Sequence, residues 1–148
     1  MKVYVASSWR NPFQQKVVKK LRELGHEVYD FKNPQGNGVN TGFHWSEIDP
    51  NWEAWQPNEY VENLKHPIAD RGFKSDFDAM KWADCCVMVL PCGRSANTEA
   101  GWMKGSGKEV HVFMPISQEP ELMYKIYDSV LIEFDQLSTI GAMSLNVL

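Results

Sequence analysis

The sequence predicts an α/β protein with a parallel sheet covered on both faces, and three observations predict it. Apolar strand-length runs alternate with segments of helical period from the first residues onward. One run, CCVMVL at 85–90, is apolar throughout, which marks a strand buried on both faces. The passages between runs are punctuated by Gly, Pro, Asn and Ser. Strands alternating with helices imply a parallel sheet covered on both faces. The length of 148 residues fits one domain, 1–148, with a single core.

The elements follow in order. KVYVA at 2–6 is a first strand, left by Ser7-Ser8. Asn11-Pro12 starts a helix over 13–24, where Phe13, Val17, Val18, Leu21 and Leu24 share a face opposite lysines. Gly25 stops it, and EVYDF at 27–31 is the second strand.

Residues 33–73 break the rhythm. This stretch is rich in Gly, Pro, Asn and Trp and has no clean period, so it reads as an irregular insertion with short helical turns. Disordered segments are poor in aromatics, so Phe43, Trp45, Trp52, Trp55 and Tyr60 indicate an ordered flap. They either stack a base or form a local mini-core.

Regularity returns at Ser75, where a helix with Phe77, Met80 and Trp82 inward runs to Asp84. The buried strand follows, and then a short helix at 98–104 closed by Gly105 and Gly107. EVHVFM at 109–114 is the next strand. A helix at 119–127, a short strand at 129–132 and a C-terminal helix or tail from Phe134 complete the chain.

Composition excludes several functions. A net charge of −4 without a basic run argues against a nucleic-acid partner or a membrane surface. No apolar run approaches the roughly 20 residues of a membrane span, and the first residues enter a strand with no signal-peptide pattern. The 3 cysteines form no disulfide framework and no zinc spacing, which reads as reduced thiols in a cytoplasmic protein. His26, His44, His66 and His111 show no metal spacing either, so no metal is expected, and His111 reads as a core residue.

Ligands of open parallel sheets bind beyond the carboxyl ends of the strands, at the switch in strand order. Two loops leave such ends side by side: Ser7-Ser8-Trp9-Arg10, and Pro91 to Glu99. The second offers Gly93, Ser95 and Asn97, which leave backbone N–H groups open to an anion, and Arg94 adds a charge. Glu99 then has two readings. It is a first-turn acid favoured by the helix dipole, with Ser95 or Asn97 as cap. Or it is a nucleophile for an anomeric carbon. Asp76 and Asp78 do not share a helix face, so at most one points into a site. Neither G-x-G-x-x-G nor a P-loop is present.

Assembled, these residues resemble the nucleoside 2-deoxyribosyltransferase superfamily, with its deoxynucleoside 5′-monophosphate N-glycosidases and CMP hydrolases. The likeness lies in the strand-one loop Val3 to Arg10, in the D-x7-D spacing of Asp76 and Asp84, and in the Gly93 to Glu99 loop followed by Gly107-Lys108. It covers most of the chain outside the insertion.

The resemblance implies a flavodoxin-like three-layer sandwich with a five-stranded parallel sheet, to which this sequence adds a Trp-rich insertion after strand 2. It implies Glu99 as the nucleophile at C1′ and Asp76 as the acid serving sugar or base. It places the 5′-phosphate on the strand-one loop and the Glu loop, at Ser8, Trp9, Arg10 and Ser95. The residues' own chemistry adds Ser7, Gly93, Arg94 and Asn97 to the substrate site, and Trp45 as a stacking aromatic. No cofactor or metal is implied, and the assembly is a homodimer or larger. Arg94 and Asn97 stand in the region where transferases carry an Asp, which favours the hydrolase branch over base exchange. The ligand is then a nucleoside or nucleotide. The rival readings are a TIR-like NAD glycohydrolase and a non-catalytic nucleotide sensor.

Overall fold

The structure, a computed structural model, describes residues 1–36 and 42–142. These form two compact units, one from Met1–Asp30 together with the chain from Met80 onward, the other Phe31–Ala79.

The first unit is a five-stranded sheet of order β2-β1-β3-β4-β5, with every pairing parallel: β1 (Lys2–Ala6), β2 (Glu27–Asp30), β3 (Cys85–Val89), β4 (Glu109–Phe113) and β5 (Ser129–Leu131). This is the flavodoxin-like α/β fold. The order reverses between β1 and β3, which places the switch point there. β3 is central and wholly buried, as its unbroken apolar run requires.

Helix α1 (Gln14–Glu23) packs Val17, Val18 and Leu21 onto one sheet face. There they join Val3, Val5, Cys85, Val87, Val89, Phe113, Leu131 and Leu137 in one apolar core. The helix ends in two nested bonds, His26 N–H to the Leu21 carbonyl (3.1 Å) and Gly25 N–H to that of Arg22 (3.0 Å). That closure needs a left-handed residue, and Gly25 supplies it at φ 94°.

Helix α4 (Arg94–Gly105) lies on the opposite face and buries Ala96, Ala100 and Met103. It starts four residues before the expected 98, because that small-residue stripe at helical spacing begins at Ala96. It closes as α1 does, with Gly107 at φ 90°. Just beyond, the Lys108 ammonium donates to the carbonyls of Met80 (2.6 Å), Lys81 (2.7 Å) and Ala83 (2.6 Å). It thereby caps the end of helix α3 (Pro67–Trp82). The helix expected at 119–127 is a 3-10 turn, Leu122–Ile126, and a second such turn, Phe134–Thr139, follows β5.

The second unit is less irregular than its composition suggests. It holds 3-10 turns at Trp45–Glu47 and Trp52–Ala54, helix α2 (Pro57–Asn63), and most of α3. Helix α3 begins at Pro67 rather than Ser75. Proline suits a first helical position, and His66 Nδ1 accepts the Ile68 N–H (3.1 Å). Gly72 is no breaker here: a Cβ on it would lie 2.7 Å from the Phe43 Cβ. Trp45 meets Phe43 (4.8 Å between ring centres), Trp55 (5.6 Å) and Tyr60 (6.2 Å), all near edge-on. This is the mini-core arrangement. No helix among the described residues is long and apolar enough to cross a membrane.

Candidate active site

The site is built where the sheet reverses. Ser7, just past β1, donates its hydroxyl to the Val89 carbonyl (2.8 Å) at the end of β3. Asn11 donates to Val89 (3.2 Å) and Pro91 (2.9 Å), and accepts from the Phe13 N–H (2.7 Å). Both side chains are buried. Ser7 and Asn11 thus latch the strand-one loop to the β3 exit. Between them Ser8 and Trp9 are half-buried and Arg10 is exposed.

Across the switch point, Gly93 is the cap residue of α4, and no side chain caps the helix there. By helix geometry the first-turn N–H groups have no intrahelical acceptors and point out of the helix end. Arg94 and Ser95 are exposed beside them. Asn97 is tied on three sides: its amide donates to the Gly93 carbonyl (2.8 Å) and contacts Cys92 Sγ (3.7 Å), and its oxygen accepts the Tyr124 hydroxyl (2.8 Å).

Glu99 lies in the second turn of α4, not the first, and no acid occupies the first turn. The dipole reading therefore loses its footing, since that effect fades beyond the first turn. Glu99 is half-buried, and its carboxylate accepts the hydroxyl of Tyr4 from the middle of β1. Tyr4 is buried and stacked on Tyr29 of β2 (5.3 Å, 11° between planes). The acid is thus oriented by a phenol fixed in the sheet.

Burial dominates the titrating groups near this acid. Burial, followed by the Glu99 charge, pushes the Cys92 thiol up to about 11, so it stays protonated at neutral pH. Cys86, beneath the same helix, is also raised well above the ordinary thiol value, chiefly by burial. Tyr124 and Tyr127 are also raised, with burial again the first cause. Neither thiol is set up as a thiolate nucleophile.

Sequence reasoning did not single out Tyr4, Tyr124 or Tyr127. Tyr4 had a signal, a polar-tipped aromatic inside an otherwise aliphatic strand. The other two lie in the segment after β4, whose exit neighbours that of β3.

Asp76 and Trp45 belong to the second unit. Asp76 is half-buried and lines a cavity of about 270 Å³ with Phe31, Phe43, Arg71 and Ser75. Asp78 is exposed and paired with Lys74. Asp84 accepts the Lys2 N–H (3.0 Å).

No protein-family model matches the chain, and no curated protein matches it either. Solved structures do. A 2-deoxyribosyltransferase from Bacillus psychrosaccharolyticus has a TM-score of 0.69 at 22% identity, over 98% of this chain and 96% of that one. A CMP N-glycosidase from Clostridium botulinum has a TM-score of 0.54 at 14% identity, over 97% and 99%. A conserved protein from Enterococcus faecalis has a TM-score of 0.57 at 14% identity, over 94% and 95%. The chain therefore has the fold of these structures, that of a 2-deoxyribosyltransferase, along nearly its whole length.

Proposed function

We propose that this chain is a member of the nucleoside 2-deoxyribosyltransferase superfamily. It cleaves, or transfers across, the N-glycosidic bond of a nucleoside or nucleoside 5′-monophosphate, with Glu99 as nucleophile. The observation that carries the reading is the half-buried Glu99 carboxylate, oriented by Tyr4, beside the strand exits where such sheets hold ligands. The fold shared with a deoxyribosyltransferase and a CMP N-glycosidase supports it.

Breaking an N-glycosidic bond builds positive charge at C1′ and on the ring oxygen. A carboxylate held at that carbon stabilises the charge and forms a glycosyl ester as the base departs. The Tyr4 hydroxyl bond fixes which oxygen faces the sugar. Water, or a second base, then releases the sugar. The departing base needs a proton. Asp76 is assigned that service on the resemblance alone. The 5′-phosphate is assigned to Ser8, Trp9, Arg10, Ser95 and the open N–H groups of α4. Gly93, Arg94 and Asn97 shape that end of the helix, and Ser7 holds the loop in place. Trp45 is assigned a stacking contact with the ligand. The protein acts without a cofactor, in the cytoplasm, as a homodimer or larger.

The experiment is a panel of nucleosides, nucleoside monophosphates and NAD, with released base read by chromatography. Base from a monophosphate is expected. Exchange with an added acceptor base assigns the transferase branch. Nicotinamide release alone, or binding without turnover, overturns the reading in favour of an NAD glycohydrolase or a sensor.

A further inference from the structure

At the opposite ends of β3 and β4, three side chains of different chemistry converge. Cys85 is the first residue of β3, and Glu109, the first of β4, is its register partner. His111 lies two residues on, so all three project from the same sheet face. The Cys85 sulfur, a Glu109 oxygen and a His111 ring nitrogen all lie within 4.8 Å of one another. Cys85 is fully buried and His111 is 7% exposed, while Glu109 reaches solvent.

The His111 ring is held from behind. Its Nδ1 lies 2.6 Å from Ser129 Oγ on β5. Its Nε2 lies 3.0 Å from Glu109 Oε1, yet makes no aligned hydrogen bond and is a buried polar atom without such a partner. Buried polar atoms are rarely left so. With the ring proton on Nδ1 toward Ser129, the Nε2 lone pair faces a carboxylate, and two acceptors at that distance need a positive centre between them. A histidine whose far nitrogen is fixed by a hydroxyl, with its near nitrogen aimed at a thiol and a carboxylate, is arranged as metal-binding histidines are.

We infer that Cys85, Glu109 and His111 form a binding site for a zinc-class divalent cation that ties β3 to β4 at the end of the sheet remote from the candidate active site. Thiolate, imidazole and carboxylate together suit zinc, which takes four ligands, and the solvent-facing side of Glu109 leaves room for water as the fourth. With zinc–ligand bonds of about 2.0–2.3 Å the ligand atoms stand about 3.3–3.8 Å apart, so the triangle closes by roughly 1 Å. The Cys85 proton leaves to solvent and a sulfur–metal bond forms. His111 binds as neutral imidazole through Nε2. Thiolate and carboxylate together balance the two positive charges. The role is structural and does not depend on the proposed glycosidase activity.

Chelator-treated full-length protein titrated with cobalt(II) tests this. One equivalent should raise a near-ultraviolet sulfur-to-cobalt band, and zinc should bleach it. Cys85→Ala should abolish the band and Cys92→Ala should leave it. Glu109→Gln, at a solvent-facing position where folding is not at stake, should weaken cobalt and zinc binding by about tenfold or more. Zinc should raise the melting temperature of the wild type and not of Cys85→Ala. No band in folded wild-type protein, or a band that survives Cys85→Ala, overturns the site. So does Glu109→Gln binding as tightly as wild type.

Discussion

The same strands present two faces of different character. Toward α1, Val3, Val5, Val87, Val89 and Phe113 meet Val17, Val18 and Leu21 in an apolar core, with Cys85, Glu109 and His111 at its edge. Toward α4, Tyr4 carries a hydroxyl into contact with a carboxylate, and Cys86 and Met88 are its neighbours. Strand alternation makes this division possible, because one residue's shift sends a side chain to the other face. One face is committed to holding the sheet together. The other tolerates a polar tip because that tip has a partner. A polar contact is thereby placed on a rigid element without opening the core.

Four substitutions test that division, in decreasing order of effect. Glu99→Gln keeps the shape and removes the charge. Turnover should fall on the order of 10⁴-fold with the melting temperature little changed, as initial rates and calorimetry would read. If activity survives, the chemistry lies elsewhere. Leu21→Ala, on the apolar face, should cost about 2–5 kcal/mol by denaturant unfolding while the folded fraction keeps its kcat. A parallel loss of kcat would show that the faces are not independent. Tyr4→Phe keeps the ring and removes the hydroxyl that Glu99 accepts. A hydrogen bond to a charged group is worth about 1.5–3 kcal/mol, so kcat should drop roughly 10- to 100-fold and the acid limb of the pH–rate profile should move up. An unmoved limb would leave Tyr4 a packing residue.

The smallest effect concerns His26, beyond the apolar face. Burial first, and then the nearby amino terminus, lowers its pKa below the ordinary value. The folded state therefore binds this proton less readily than the unfolded chain does. Stability is unaffected above about pH 6.5 and declines as pH falls through the folded pKa. His26→Gln should flatten that part of the stability–pH curve in thermal melts.

Much of this was legible in the sequence. The unbroken apolarity of β3 announced a central strand, and Val17, Val18, Leu21 and Gly25 gave both the face and the end of α1. Glu99 could be singled out by its loop. Its place in the helix could not, because Ser95 and Asn97 look like loop residues and the Ala96, Ala100, Met103 stripe is made of small side chains. The start of α3 at Pro67, inside the stretch read as irregular, was hidden for a related reason: Gly72 lies within it. In isolation it reads as a break, and only the presence of Phe43 shows that a bare backbone is needed there. Tyr124 pairs with Asn97 across 27 positions, and Cys85 meets His111 across 26, separations that no local pattern encodes. The roles of the remaining tail, 143–148, lie outside the described residues.

The grip of Lys108 on the end of α3 carries a further consequence. An ammonium group spreads its three hydrogens like the legs of a tripod, and the carbonyls of Met80, Lys81 and Ala83 receive one each. A guanidinium holds its donors in a single plane and would leave at least one of those oxygens unmet. What the position demands is therefore the count and direction of its protons, so an exchange that preserves formal charge would still unseat the chain's turn into the central strand.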